Sequence, residues 1–99
     1  MFCVKVHQSY RTVVAICDSE LIGKKFEEGI KQLDIRESFY KKEEVSEEEI
    51  ASIMEKQKFE DATFNIVGKE SVRLAIENGI ITSDATSSVS GIPFALKLI

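Results

Sequence analysis

Residues 62–79, ATFNIVGKESVRLAIENG, decide the fold, because they predict a strand, a turn and a helix in direct succession. The run ATFNIV is short and rich in β-forming residues, which favours a buried strand, and Gly68 then favours a tight turn. The segment KESVRLAIEN places apolar residues on one side of a helix: Val72, Ala75 and Ile76. Gly79 supplies the left-handed residue that commonly ends a helix. We therefore predict a helix over about residues 69–78.

The N-terminal residues predict a hairpin of two strands, since FCVKVH alternates apolar and polar residues and VVAIC follows after a short polar break. A loop over residues 9–11 would pair Val4 with Ile16 and Cys3 with Cys17. This register places a set of apolar side chains on one face: Phe2, Val4, Val6, Val14 and Ile16. A shift by one residue would mix the two faces of the hairpin.

Residues 18–29, DSELIGKKFEEG, predict a short helix or turn in which Asp18 caps the first free backbone amides. The next segment, IKQLDI, predicts a strand with Leu33 and Ile35 facing the core. These segments connect the hairpin to the first main helix.

Residues 45–58, VSEEEIASIMEKQK, contain the clearest helix start in the chain. Ser46 is an N-cap residue, and Glu49 three positions later completes a capping box. Acidic residues in the first turn suit the helix dipole. We predict a helix over about residues 47–58.

The C-terminal residues predict a loop followed by a strand. TSDATSSVSG, residues 82–91, has loop-like composition, and IPFALKLI alternates Ile92, Phe94, Leu96 and Leu98 against Ala95 and Lys97, with Pro93 suited to the beginning of an edge strand. The predicted fold is therefore α+β, with a small mixed sheet that starts with the N-terminal hairpin, two main helices and a C-terminal strand.

Length and composition indicate a single globular domain over residues 1–99, since 43% of the residues are apolar and 30% are charged. The net charge of -4 disfavours bulk binding of nucleic acid. The N-terminus lacks the pattern of a signal peptide or a membrane span, and two cysteines are too few for a disulfide framework. We expect a cytoplasmic protein that does not act at a membrane.

The Gly68-Lys69 pair raises the question of a nucleotide site. A phosphate-binding loop needs a glycine five residues before such a pair and a hydroxyl directly after the lysine, and these places hold Thr63 and Glu70. A glycine turn that enters a helix still exposes amides that can hold an anion, with Lys69 beside them. Asn65 either contributes to such a site or braces the turn.

The chain shows no complete metal or catalytic motif. Cys3 and His7 would lie about 13 Å apart along one strand, which excludes a shared ion. His7 is the sole histidine and is distant in sequence from most carboxylates, which disfavours a nucleophile-histidine-acid arrangement. Cys3 and Cys17 are either two small cross-strand thiols or a redox pair. We predict neither a metal nor a cofactor.

Four motifs occur together and in order, and they cover nearly the whole chain. They are Cys17-Asp18 with Glu20 and Gly23-Lys24, Phe39-Tyr40 before an acidic helix, Asn65 with Gly68, and Gly91-x-Pro93. In this combination the sequence resembles the archaeal domain-of-unknown-function family 424.

The resemblance implies a small archaeal cytoplasmic protein with an α+β fold, and it implies no particular reaction. It also implies work near the translation machinery, with a protein or ribonucleoprotein partner. Many members of that family carry a histidine after the final proline and a glutamine two residues beyond it, where this chain has Phe94 and Leu96. Members also tend to have paired glycines at the positions of Lys41 and Lys42, so this chain departs from the family pattern there as well.

Two functions remain open at this stage. The first is a non-catalytic binding module that uses the turn around Asn65 and Gly68, or an exposed sheet edge near the last strand. The alternative is a small-ligand protein or enzyme in which Cys17, Asp18, Lys24 and Asn65 converge in a pocket. The predicted binding residues are Asp18, Lys24, Asn65, Gly68, Lys69, Gly91 and Pro93.

Overall fold

The strands form one six-stranded sheet and a separate two-stranded hairpin in the computed structural model, which describes residues 1–98. The strands are β1 (Phe2–His7), β2 (Val13–Asp18), β3 (Lys25–Glu28), β4 (Lys31–Asp34), β5 (Glu43–Val45), β6 (Thr63–Val67), β7 (Ser87–Val89) and β8 (Ile92–Lys97). The helices are α1 (Glu37–Tyr40), α2 (Glu47–Phe59) and α3 (Lys69–Glu77), and short 3₁₀ turns span Ser19–Leu21 and Ser83–Ala85. The predicted α+β class is confirmed.

The large sheet has the strand order β5-β1-β2-β6-β8-β7. Only β2 and β6 run parallel, and the other neighbours are antiparallel. The predicted hairpin register is confirmed, with Val4 opposite Ile16 and Cys3 opposite Cys17. The two central strands, β2 and β6, end beside each other, and this end positions the strand-glycine-helix junction.

The two faces of the large sheet bury different clusters. The helix face packs against α2 and α3, and its core includes Ile16, Phe64 and Ile66. The opposite face, here called the thiol face, packs Cys3 and Cys17 against the β3–β4 hairpin and α1. Asn65 of β6 and Phe94 and Leu96 of β8 remain half-buried or exposed on this face, so the second layer covers the thiol face only in part.

Both main helices lie where the sequence predicts them. Ser46 and Glu49 form the complete capping box at the start of α2, since each side chain bonds the other residue's backbone amide. The chain leaves α3 through Gly79, whose φ of +71° is the left-handed conformation expected of a helix-ending glycine.

Three details of the prediction are wrong. Lys25–Glu28 is a strand rather than part of a helix or turn, because it pairs with β4 over its full length. The predicted loop of residues 82–91 contains the short strand β7, which pairs with the start of β8. Pro93 therefore lies on a strand with neighbours on both sides rather than at the beginning of an edge strand. A proline is tolerated there because β6 ends opposite it, so its missing N–H leaves no ladder bond unmade.

Candidate functional site

The junction between β6 and α3 is built around Gly68. Its backbone has φ +110° and ψ 153°, a conformation that is essentially restricted to glycine. The Gly68 amide donates to the carbonyl of Pro93 at 2.9 Å, which ties the turn to β8. The Gly68 carbonyl accepts from the Val72 amide at 2.9 Å and so begins the helical hydrogen bonds of α3.

The carboxylate of Asp18 occupies the N-terminus of α3. It accepts hydrogen bonds from the Glu70 amide at 3.2 Å, from the Ser71 amide at 2.8 Å and from the Ser71 hydroxyl at 2.7 Å. Asp18 and Ser71 are both buried. A negative charge at this place is favoured by the helix dipole and by the free amides. The anion site expected from the glycine turn is therefore filled by the protein itself.

This arrangement corrects the predicted role of Asp18. Asp18 precedes the 3₁₀ turn Ser19–Leu21 in sequence, but its side chain makes no capping bond there. Because β2 and β6 run parallel and end together, the last residue of β2 reaches the helix that follows β6. A long-range contact of this kind cannot be read from local sequence.

The same contact explains the glycine at position 68. A Cβ atom built on Gly68 would lie 2.4 Å from Asp18 Cγ and within 2.7 Å of both carboxylate oxygens. Neither the backbone conformation nor the space beside Asp18 permits a residue other than glycine at position 68. Asp18, Gly68 and Pro93, three of the predicted binding residues, thus come together as a structural joint.

Three other predicted binding residues are not part of this joint. Lys69 begins α3 with an exposed side chain, and Lys24 is exposed beside the β3–β4 hairpin. Gly91 forms the turn between β7 and β8, with φ +79° and no atom within 4 Å of a built Cβ. The structure supplies no ligand-binding geometry at these three positions.

Asn65 lies on the thiol face, opposite Ala15 on one side and Leu96 on the other. Its side chain is half-buried and makes no hydrogen bond to any of residues 1–98. Asn65 therefore does not brace the turn. Its amide is available on the uncovered part of the sheet.

The two thiols are free and buried directly opposite each other. Burial raises the pKa of the Cys17 thiol above its usual range, and the nearby Cys3 and Asp18 raise it further. A thiol in this state stays protonated at neutral pH and is a weak nucleophile. Cys17 and Asp18 are also successive residues of one strand, so their side chains point to opposite faces of the sheet.

His7 belongs to the packing of α1. Its ring stacks on Phe39 with the ring centroids 4.6 Å apart, and its Nε2 lies 2.8 Å from the Phe39 carbonyl oxygen. No group of three or more histidine, cysteine or acidic residues within positions 1–98 is arranged to hold a metal ion. In that part of the chain, no helix is long and apolar enough to cross a membrane.

Sequence reasoning predicted an exposed sheet edge near the last strand, but it missed the exposed apolar side chains at the same end of the sheet, a region that we call the open end and define by Tyr10, Phe59, Leu96 and Leu98. Tyr10 and Phe59 are almost fully exposed, and Leu96 and Leu98 expose 53% and 65% of their surface. Tyr10 lies in the β1–β2 loop, Phe59 ends α2, and the two leucines lie at the end of β8. The pairing of Thr12 with Thr63 and of Phe64 with Lys97 brings these segments to one end of the sheet.

Two adjoining cavities of about 390 and 350 Å³ lie at the open end and share Gly79, Ile80, Lys97 and Leu98. Lys58 lines the larger cavity, and its ammonium group lies 3.4 Å from the Asn78 carbonyl oxygen. The only sequence signal for this surface is the apolar run at the end of the chain, which is equally typical of a buried strand.

The family model described as "Protein of unknown function (DUF424)" matches residues 6–98, and the chain belongs to that family. A search of the curated proteins finds no match. The fold is similar to the crystal structure of an uncharacterized conserved protein from Methanopyrus kandleri, with a TM-score of 0.82 and 22% sequence identity. The alignment covers 96% of this chain and 88% of that one.

Proposed function

We propose that this member of the family is a non-catalytic binding module of the cytoplasm, which docks a partner from the translation apparatus at its open end. The observation that carries the proposal is the exposure of Tyr10, Phe59, Leu96 and Leu98 at one end of the sheet. Most of the large apolar side chains elsewhere in residues 1–98 are buried, so this grouping is unlike the rest of the surface. Exposed apolar groups of this kind favour a protein interface.

The polar groups that could support a reaction are engaged in structure. The Asp18 carboxylate caps α3, and the Cys17 thiol is buried and protonated. The alternative function, a pocket that uses Cys17, Asp18, Lys24 and Asn65, would need side chains from both faces of the sheet to meet. Turnover of a metabolite that is lost on Cys17→Ala substitution would favour that alternative over the binding module.

The partner contact we propose is a contact with protein. The net charge of -4 opposes long-range attraction of RNA. The translation apparatus enters the proposal through the family resemblance, and a ribonucleoprotein fits it when its protein component makes the contact. Capture that survives ribonuclease treatment supports this assignment, whereas capture that disappears assigns the contact to RNA.

The test is affinity capture from an archaeal lysate, followed by mass spectrometry. The wild-type chain is compared with a variant that carries Tyr10→Ser, Leu96→Ser and Leu98→Ser. The matched control is Ile30→Ser, which removes a fully exposed apolar side chain from the β3–β4 turn. This turn lies beside the β7–β8 turn, at the end of β8 that is opposite to the open end.

We expect translation proteins to be captured by the wild type and by the Ile30→Ser control, and to be lost with the triple variant. Circular dichroism confirms that all baits are folded. The proposal is refuted when the triple variant captures the same proteins as the wild type, or when no bait captures a protein above background.

A further inference from the structure

The outer edge of β8 is open beyond β7. The pairing of Ser87 with Phe94 is the last contact between these strands, and the same register would place Ala85 opposite Leu96. Ala85 instead lies in a 3₁₀ turn, so β7 provides no partner for Leu96. On the inner side, β8 continues to pair with β6 as far as Lys97.

The backbone of Leu96 points toward this open edge. The Pro93 carbonyl accepts from Gly68 and therefore points toward β6. Backbone groups of successive residues in a strand point alternately to the two neighbours, so Ala95 and Lys97 face β6 while Leu96 faces outward. No loop amide or carbonyl among residues 1–98 bonds Leu96. Its N–H and C=O are thus exposed as a template for another strand.

The side chains around this edge differ in chemistry between the two faces of the sheet. Leu96 lies opposite Asn65 on the thiol face, and Leu98 continues the exposed apolar surface. Lys97 lies opposite Phe64 and therefore points to the helix face, where it lines the same cavity as Lys58. One face of the edge is apolar, and the other carries Lys97 and Lys58 together with the single carboxylate of Asp61 in the same cavity.

We propose that the free edge of β8 binds an extended segment of the partner as an additional strand, in which apolar and acidic residues alternate. Apolar side chains of that segment pack on Leu96 and Leu98, and its carboxylates lie toward Lys97 and Lys58. The alternation follows from the strand period of two, because neighbouring residues of the bound segment reach opposite faces. This inference rests on the proposed function and specifies what the partner presents.

A second copy of the chain fits the edge less well. Antiparallel pairing of two β8 strands about Leu96 would place both Lys97 side chains on the same face of the joined sheet. Like charges at close cross-strand positions are unfavourable, and lysine on an edge strand commonly opposes self-association. A carboxylate from a different chain removes this repulsion.

The test is a titration of the isotope-labelled full chain with a short synthetic peptide in which valine and glutamate alternate, followed by NMR. We expect shifts that include the Leu96 amide, and slower hydrogen exchange of that amide in the complex. A peptide of the same composition with the valines and glutamates in separate blocks should bind roughly tenfold more weakly, because it cannot match both faces.

Two variants separate the backbone contact from the charge contact. Leu96→Pro removes the outward N–H without removing a bond of the sheet, and should weaken binding roughly tenfold more than Leu96→Ser, which loses the same side chain but keeps the N–H. Lys97→Glu should weaken binding of the valine–glutamate peptide and improve binding of a valine–lysine peptide. Hydrogen exchange of the wild-type Leu96 amide supplies the test of the backbone contact when the proline variant does not fold.

Strand addition is overturned when the alternating peptide does not bind, when the block peptide binds equally well, or when the Leu96 amide exchanges at the same rate in the complex. It is also overturned when the free chain is a dimer with that amide protected. Capture that Leu96→Pro weakens no more than Leu96→Ser leaves docking at the open end intact and removes only strand addition. Capture that is independent of the open end removes both.

Discussion

Substitution of Gly68 by alanine should destabilise the protein far more than a typical glycine substitution. The conformation at φ +110° and ψ 153° costs a non-glycine residue about 1–3 kcal/mol. The added Cβ would lie 2.4 Å from Asp18 Cγ, so the carboxylate must move and release the amides of α3. Loss of an N-cap costs about 0.5–2 kcal/mol, and an unpaired buried hydroxyl at Ser71 costs about 1–3 kcal/mol. We expect a total loss of about 3–7 kcal/mol.

The matched control is Gly91→Ala. Gly91 also has a positive φ, +79°, but no atom lies within 4 Å of its built Cβ. This substitution should cost only the left-handed conformation, about 1–2 kcal/mol. Urea unfolding followed by circular dichroism measures both losses, since the chain has no tryptophan to report by fluorescence. Equal losses at Gly68 and Gly91 would refute the role of the Asp18 contact.

A double-mutant cycle isolates that contact further. Asp18→Ala alone should cost about 2–5 kcal/mol, because it removes the cap and leaves Ser71 without a partner. In the Asp18→Ala background, Gly68→Ala no longer displaces a carboxylate and should cost only the backbone strain. The two losses should therefore sum to more than the loss in the double variant, by about 2 kcal/mol or more. Additive losses would show that the two positions do not interact.

Three further predictions concern stability and reactivity. Burial raises the pKa of Tyr40 to about 12 from 10.0, and burial likewise raises the pKa of Cys17, so the free energy of unfolding should fall as the pH rises above about 9. Tyr40→Phe should remove about 2 kcal/mol of that fall between pH 10 and 12, as measured by urea unfolding at each pH. An unchanged pH profile contradicts the assignment. Native Cys3 and Cys17 should react with a disulfide reagent only at the rate of opening of the structure, and rapid labelling of the folded chain would contradict their burial. Ser46→Ala should cost about 1 kcal/mol through loss of the capping box, whereas Ser52→Ala at an exposed position within α2 should be nearly neutral or slightly stabilising.

Local patterns predicted the elements whose causes are local. The capping box at Ser46 and Glu49 fixed the start of α2, and the alternation of residues 2–7 fixed the register of the hairpin. In both cases the deciding contacts lie within a few residues, or across one short loop. The apolar pattern therefore carried enough information to place these elements.

The errors fall where a segment depends on a neighbour distant in sequence. Residues 25–28 are polar and exposed except for the half-buried Phe26, and they form a strand because β4 pairs with them. The serine-rich segment near Ser87 has the composition of a loop, and it becomes β7 because β8 provides a ladder of amides and carbonyls. Composition alone could not identify either strand, since neither contributes a repeating apolar face.

The candidate site could be predicted only as a set of residues. Sequence reasoning singled out Asp18, Gly68 and Pro93, and the structure brings them together. It could not assign their roles, because the parallel pairing of β2 with β6 brings Asp18 to α3 from 52 positions away. The open end gave no distinct signal, since the exposure of Leu96 depends on where β7 stops.

Under the proposed function, stability and recognition depend on opposite ends of the sheet. At one end, Asp18 fills the helix N-terminus that would otherwise attract an external anion, so a phosphate or carboxylate ligand would first have to displace a buried, triply bonded group. At the other end, the outward backbone groups of Leu96 have no partner in β7, and 53% of the surface of Leu96 is exposed. Partner binding should consequently depend on Leu96. It should not change on substitution of Asp18 when the variant and the wild type are compared at the same folded fraction. A conservative Asp18→Asn variant tests this separation: it should lower the free energy of unfolding and leave the affinity for the valine–glutamate peptide unchanged. Loss of peptide binding by folded Asp18→Asn protein would show that the two ends are coupled.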